Sequence, residues 1–290
     1  MPRNLLRFIV AVLSAGLIHP IAAQVPQVWN QPFPAFRIAG NLYYVGTEDL
    51  AAYLIVTPKG DILINSDLTT SVPLIRKSVE SLGFHFRDIR ILLISHGHYD
   101  HCAGSARIKQ LTGAKYEVME GDVSVVESGG RTDFRFAHDR TMWFPPTHVD
   151  RVLHDGGTVE LGGMVLTAHI TAGHTKGATT WTFDEREAGR LLHVVIVGGP
   201  FVLQSYRLVG NKAYPQIASD YQHGFDAMKR LPCDIFLGAH GSYFGLREKY
   251  ERWKAGDRAA FIDPTGYQSH VAEWEQDFHS ALRRQQQVAR

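Results

Sequence analysis

The sequence predicts an α/β protein built as an αββα sandwich, two β-sheets packed together and flanked by helices. Three observations carry that expectation. Short β-rich runs separated by helical patterns fall into two groups, over residues 42–94 and 159–238. Each group closes on a buried, predominantly apolar strand, at residues 89–94 and 234–238. Strong metal-ligand side chains, the run His96, His98, Asp100, His101 and the single residues His174 and His240, follow strand ends, where α/β sheets present ligands.

The elements follow in chain order. Arg3 and Arg7, an apolar stretch over residues 8–18 and Ile21-Ala22-Ala23 before Gln24 read as a signal peptide spanning residues 1–23, which implies export to the periplasm. The apolar stretch is shorter than the ~20 residues that span a bilayer, so no membrane anchor is expected once it is removed. A single domain over residues 24–290 should remain, since no linker separates the two halves. Residues 42–45, 52–56 and 62–65 read as a β-meander, its last two strands joined across Pro58-Lys59-Gly60. Val72, Ile75, Val79 and Leu82 recur at helical spacing, which predicts an amphipathic helix over residues 70–83 that stops at Gly83.

In the second half, residues 159–161, 165–170, 179–183 and 191–197 read as strands, residues 215–229 as a helix and residues 234–238 as the last strand. A carboxyl-terminal helix carries Val271, Trp274, Phe278 and Leu282 on one face. The irregular stretch 128–148 holds Phe134, Phe136, Trp143 and Phe144, and a loop so long and aromatic is expected to wall a substrate groove.

Composition narrows the function classes. With 30 basic against 29 acidic side chains there is no basic footprint for nucleic acid. Cys102 and Cys233 are the only cysteines, too few for a disulfide framework, and read as two buried thiols. The five histidines named above leave ten of the fifteen scattered, His85, His138, His154 and His279 among them, and these read as ordinary surface or core residues.

The clustered ligands are different. Three imidazoles and a carboxylate within six residues suit zinc and are too many for one ion to take from so short a loop, so two metals are expected. His96 and His98, two apart on an extended loop, project to one side, while Asp100 and His101 continue around the turn. His174 and His240 each sit beside small residues that leave room for a metal. The expected sets are His96, His98 and His174 on one zinc, and Asp100, His101 and His240 on the other. Three protein ligands per ion leave an open position, the mark of a catalytic site, and zinc lowers the pKa of water from ~15.7 to ~7. Serine-nucleophile and nucleotide motifs, G-x-S-x-G, S-x-x-K, the Walker loop and G-x-G-x-x-G, are missing.

Together with two distant histidines, the H-x-H-x-D-H run resembles the hallmark of the metallo-β-lactamase superfamily. That resemblance implies the αββα fold and a dinuclear hydrolase. Many members, the glyoxalase-II-like thioesterases and lactonases among them, place a bridging aspartate after a strand of the second half. Here that stretch is Val195-Ile196-Val197-Gly198-Gly199-Pro200, with no acid, which is similar to the true β-lactamases. The opening Trp29-Asn30-Gln31-Pro32-Phe33-Pro34, the run Gly173-His174-Thr175-Lys176-Gly177 and the ending Cys233-Asp234-Ile235-Phe236-Leu237-Gly238-Ala239-His240 resemble class B β-lactamases of subclass 3.

The resemblance covers residues 29–285 and implies a monomeric, exported dizinc β-lactamase. Its small-molecule substrates would be penicillins, cephalosporins and carbapenems, opened by zinc-hydroxide attack on the lactam carbonyl. Asp100 would orient the nucleophile and Tyr206 would donate to the developing oxyanion. Gly199 and Ser205 would lie at the substrate, and Asn65 or Asp67 would support a ligand histidine. Two departures stand out. Gly199 occupies a position where the subclass commonly has a serine that helps hold the substrate carboxylate, and Tyr267 stands where a partner cysteine for Cys233 is often found. A related zinc-dependent lactonase or thioesterase fits the metals but not the missing acid. A metal-storing module without turnover fits the histidine content but not the open coordination positions.

Overall fold

The computed structural model describes residues 25–289; the expected signal peptide lies outside them. Strands β1 (Phe36–Ala39), β2 (Leu42–Tyr44), β3 (Tyr53–Thr57), β4 (Gly60–Ile64), β5 (Ile89–Leu93), β6 (Lys115–Met119) and β7 (Arg151–Leu153) form one sheet in that spatial order. They run antiparallel as far as β4 and parallel from β4 to β7. Strands β8 (Thr158–Leu161), β9 (Met164–Ile170), β10 (Thr179–Glu187), β11 (Arg190–Val197) and β12 (Ile235–Gly238) form the second, in the order β12-β11-β10-β9-β8, with only β11 and β12 parallel.

Helices α1 (Val72–Ser81), α2 (Tyr99–Cys102), α3 (Ser105–Thr112) and α4 (Glu120–Ser128) make the crossovers of the first sheet. Helices α5 (Ile217–Arg230), α6 (Leu246–Lys254) and α7 (Pro264–Val288) belong to the second half. The αββα expectation therefore holds.

Strand periodicity explains the layering. Tyr53, Ile55, Ile62, Ile64, Ile91 and Leu93 point into the inter-sheet core with Leu166, Trp181 and Val194. The residues between them, Leu54, Leu63 and Leu92, point the other way, against Ile75 and Val79 of α1, Ile108 of α3 and Val126 of α4. Both faces are buried, so these strands read as near-continuous apolar runs rather than as an alternation. Across the second sheet, Phe236 meets Trp274 of α7 at 6.1 Å between ring centroids, and Phe278 stacks on Tyr221 of α5 at 5.4 Å.

Along one edge the two sheets are stitched by hydrogen bonds to backbone carbonyls. Thr179 N donates to Ser95 O at 2.8 Å and Trp181 Nε1 to Ile94 O at 3.0 Å. On the other side of the loops, Ala51 N donates to Ala239 O at 3.0 Å and Tyr53 Oη to Gly238 O at 2.7 Å. These bonds hold the chain after β5, β9 and β12 together, and that is where the ligand candidates sit.

Strands β1, β6 and β7 and helices α3, α4 and α6 escape the sequence reading, for a physical reason. Glu117 on β6 is buried and paired with Arg151 of β7 at 3.0 Å, and Asp122 on α4 is buried, so charged residues interrupt the apolar pattern. Likewise β10 runs on to Glu187 because Glu187 bonds Gly40 N at 2.8 Å and Arg37 at 2.9 Å, tying the hairpin tip to the first sheet. Among the described residues no helix is long and apolar enough to cross a membrane.

Candidate metal centre

Asn65, just past β4, starts the site. It takes a left-handed backbone conformation (φ 69°), which asparagine tolerates better than most residues. Its side chain fixes that conformation by accepting from Ser95 N at 2.8 Å and donating to Ala51 O at 2.9 Å, which sets where the loop after β5 begins. Gly97 N then donates to the buried Asp122 at 2.6 Å, and the same carboxylate receives Thr175 Oγ1 at 2.7 Å and Gly177 N at 3.0 Å. One carboxylate thus clamps the loop carrying His96 and His98 to the loop carrying His174. Burial pushes its pKa up to about 6 in spite of the three donors.

Two groups of ligand atoms result. His98 Nδ1 and His174 Nε2 lie 3.1 Å apart, with a ring nitrogen of His96 within 4.8 Å of both. Asp100 Oδ2, His101 Nε2 and His240 Nε2 form a triangle with sides of 3.1, 3.3 and 3.6 Å. Metal–nitrogen bonds of ~2.0–2.1 Å give a tetrahedron an edge of about 3.3 Å, so these separations fit a metal's ligand shell. His96 Nε2 is buried with no partner in the protein, as a waiting ligand atom would be. His96 also falls within 4.8 Å of Asp100 and His101, so it borders both groups.

The opposite ring nitrogens are anchored, which selects the tautomer. His174 Nδ1 meets Phe201 O at 2.8 Å and His240 Nδ1 meets Asp49 Oδ2 at 2.9 Å, which leaves Nε2 of each ring as the atom turned toward its group. Asp49 is itself held by Trp29 Nε1 at 3.1 Å and Ser242 N at 2.9 Å. His98 Nε2 faces the buried Asp133 at 3.7 Å. Burial drives His98 down to about 4 and His174 to about 3. Burial alone would also depress His240, but hydrogen bonds to Asp100 and Asp49 outweigh it and lift the ring to about 9.

A model of the metallo-beta-lactamase superfamily matches residues 49–240, a span from Asp49 to His240 that holds both groups of ligands. The chain belongs to that superfamily. Among solved structures it is similar to the FEZ-1 metallo-beta-lactamase of Legionella gormanii, 54% identical with a TM-score of 0.88 over 88% of this chain and 98% of that one. The class B3 di-zinc metallo-beta-lactamase LRA-12 from an Alaskan soil metagenome is 37% identical, with a TM-score of 0.85 over 89% and 98% of the two chains. Curated sequences match more weakly: a probable metallo-hydrolase of Burkholderia pseudomallei is 30% identical over 34% of this chain, which spans only 33% of that protein's length. The chain is therefore a metal-dependent hydrolase whose structural relatives are subclass B3 enzymes.

A cavity of about 330 Å³ opens over the two groups. Trp29, Phe136, Met142, Phe144, Phe201 and Tyr243 supply an apolar wall beside the ligand candidates. The aromatic loop contributes as its sequence suggests, through Phe136 and Phe144. Phe134 instead packs on Tyr206 and Tyr214, each at 5.1 Å, and Trp143 stacks under Arg131 at 4.4 Å.

The other residues singled out in the sequence take varied places around the site. Tyr206 is 1% exposed and not part of the cavity wall; its hydroxyl donates to His174 O at 2.6 Å and lies 3.5 Å from His98 Nε2. Gly199 packs under His174, where a Cβ would come within 2.8 Å of the ring, and Ser205 is exposed on a turn. Asn65 supports backbone rather than a ring, and Asp67 has no hydrogen-bond partner for either buried oxygen. The carboxylates that face ligand histidines, Asp49 and Asp133, carry no sequence signal of their own; only their neighbours, the aromatic loop for Asp133, hinted at the region. Cys102 and Cys233 are free thiols, and Tyr267 donates its hydroxyl to Met228 O at 2.8 Å.

Proposed function

We propose that this protein is an exported dizinc β-lactamase that hydrolyses penicillins, cephalosporins and carbapenems. In this reading residues 1–23 are removed on export and residues 24–290 act in the periplasm as a single-domain monomer. The observation that carries it is the pair of compact ligand groups with no space for a carboxylate between them at the end of β11. A Cβ at Gly198 would meet Thr179 O at 2.4 Å, and one at Gly199 would meet His174 at 2.8 Å, so neither position has room for a bridging acid. That separates this site from the lactonase and thioesterase pattern and agrees with the likeness to FEZ-1 and LRA-12.

His96, His98 and His174 would hold one zinc, and Asp100, His101 and His240 the other. Zinc bound there supplies Lewis acidity toward the lactam carbonyl and a lowered pKa for water. The remaining work falls to the chain. Although burial opposes it, the charges and hydrogen bonds of His101 and His240 keep the Asp100 carboxylate well below its usual pKa, so it stays ionised and accepts a hydrogen bond from the attacking water. Phe201 O and Asp49 fix the His174 and His240 rings, and the Tyr206 hydroxyl holds the His174 backbone. Tyr206 is therefore assigned a positioning role. The aromatic wall receives the substrate's apolar rings and limits water.

The reading is tested by assaying nitrocefin, a carbapenem, a lactone panel and a thioester on the purified protein. β-Lactam turnover that a chelator abolishes, zinc restores and serine-directed inhibitors leave intact is expected. Two bound metals with lactone or thioester turnover and no β-lactam turnover would overturn it.

A further inference from the structure

Tyr243 is unlike its neighbours. The hydroxyls of Tyr44, Tyr53, Tyr206, Tyr221 and Tyr267 each donate to a backbone carbonyl, at 2.6 to 2.8 Å. Tyr243 lines the cavity, yet among the described residues no group bonds its hydroxyl, and that oxygen is not among the sealed, unpartnered atoms. Three rings fix the side chain: His240 at 4.9 Å, Phe201 at 4.9 Å and Trp274 at 6.0 Å between centroids. Phenylalanine would pack as well, so packing alone does not account for the hydroxyl.

The cavity's own chemistry says what that is. No lysine or arginine lines it among the described residues. β-Lactams carry a carboxylate next to the lactam nitrogen, and at neutral pH it needs a donor. The end of β11 cannot provide one, because Gly199 has no side chain and a Cβ there would press on His174 at 2.8 Å. The loop after β12 approaches the same cavity from the His240 side, where Tyr243 offers a neutral hydroxyl on a fixed ring.

We propose that Tyr243 is a substrate-positioning residue whose hydroxyl donates to the carboxylate of the bound β-lactam, taking over a contact that Gly199 cannot make. The assignment rests on the β-lactamase reading. It is tested with Tyr243→Phe, which keeps the ring and removes the donor. A hydrogen bond to a charged group predicts a KM raised about tenfold for a free-acid cephalosporin, with kcat changed less than about twofold. Metal content and thermal unfolding should match the wild type. The methyl ester of the same cephalosporin should show no difference between the two proteins. An unchanged KM on the free acid, or an equal rise on the ester, overturns this assignment while leaving the β-lactamase reading intact. A wild type without β-lactam turnover overturns the reading and the assignment together.

Discussion

The two ligand groups use the same imidazole chemistry in opposite electrostatic settings. Around His98 and His174 burial dominates, and their pKa values fall to about 4 and about 3, so at neutral pH both rings are uncharged before any metal arrives. Around His240 two carboxylates, Asp100 and Asp49, overcome burial and raise the pKa to about 9, so the ring is protonated at neutral pH. Asp49 responds in turn: burial would raise it, but the hydrogen bond and charge of His240 bring it to about 2. A metal entering the first group displaces no proton from His98 or His174, whereas one entering the second must displace about one from His240. The carboxylates beside a histidine thus decide whether its ring carries a proton that a metal must displace.

The comparison breaks most visibly at His96, which borders both groups. His96→Ala should cost the first group its metal, leave affinity at the second within about threefold, and reduce turnover at least about 10³-fold, measured by metal analysis and initial rates. A variant that loses both metals would show that His96 serves the second group as well. Asp49→Asn should come next: losing the charge behind His240 should weaken metal binding at the second group about 10- to 100-fold and leave the first unchanged. Competition titration with a chromophoric chelator reads both constants.

The pH dependence gives a third contrast, and its sign is fixed by the direction of the shifts. Because His240 is raised, affinity at the second group should climb about tenfold per pH unit between pH 6 and pH 8 and level off near 9. Because His98 and His174 are lowered, affinity at the first group should stay flat over that range. Equal slopes would refute the distinction. The smallest effect is expected at the wall: Phe136→Ala, which opens the cavity beside His98, should raise KM about three- to tenfold with both metals retained.

Much of this was legible in the sequence because strands with both faces buried write themselves as apolar runs, and because six ligand side chains after strand ends form a pattern with few other uses. The residues that tune the site were not. Asp49, Asp122 and Asp133 are common residues in loops or at the start of a helix, and their roles come from contacts across 191, 25 to 55 and 35 residues of chain. Tyr206 shows the complement: its position in the chain suggests contact with the substrate, and in the fold its ring packs against Phe134 while its hydroxyl donates to the His174 backbone. Sequence spacing locates a ligand; the protonation state and aim of that ligand depend on partners that only folding brings together.

Calorimetric titration of the metal-free protein with zinc at pH 7, repeated in buffers of different ionisation enthalpy, tests the central claim most directly. Two equivalents are predicted, and beyond any proton lost by metal-bound water, the one entering the second group should release about one proton more than the one entering the first. A single equivalent, or two with the same proton count, would contradict the account.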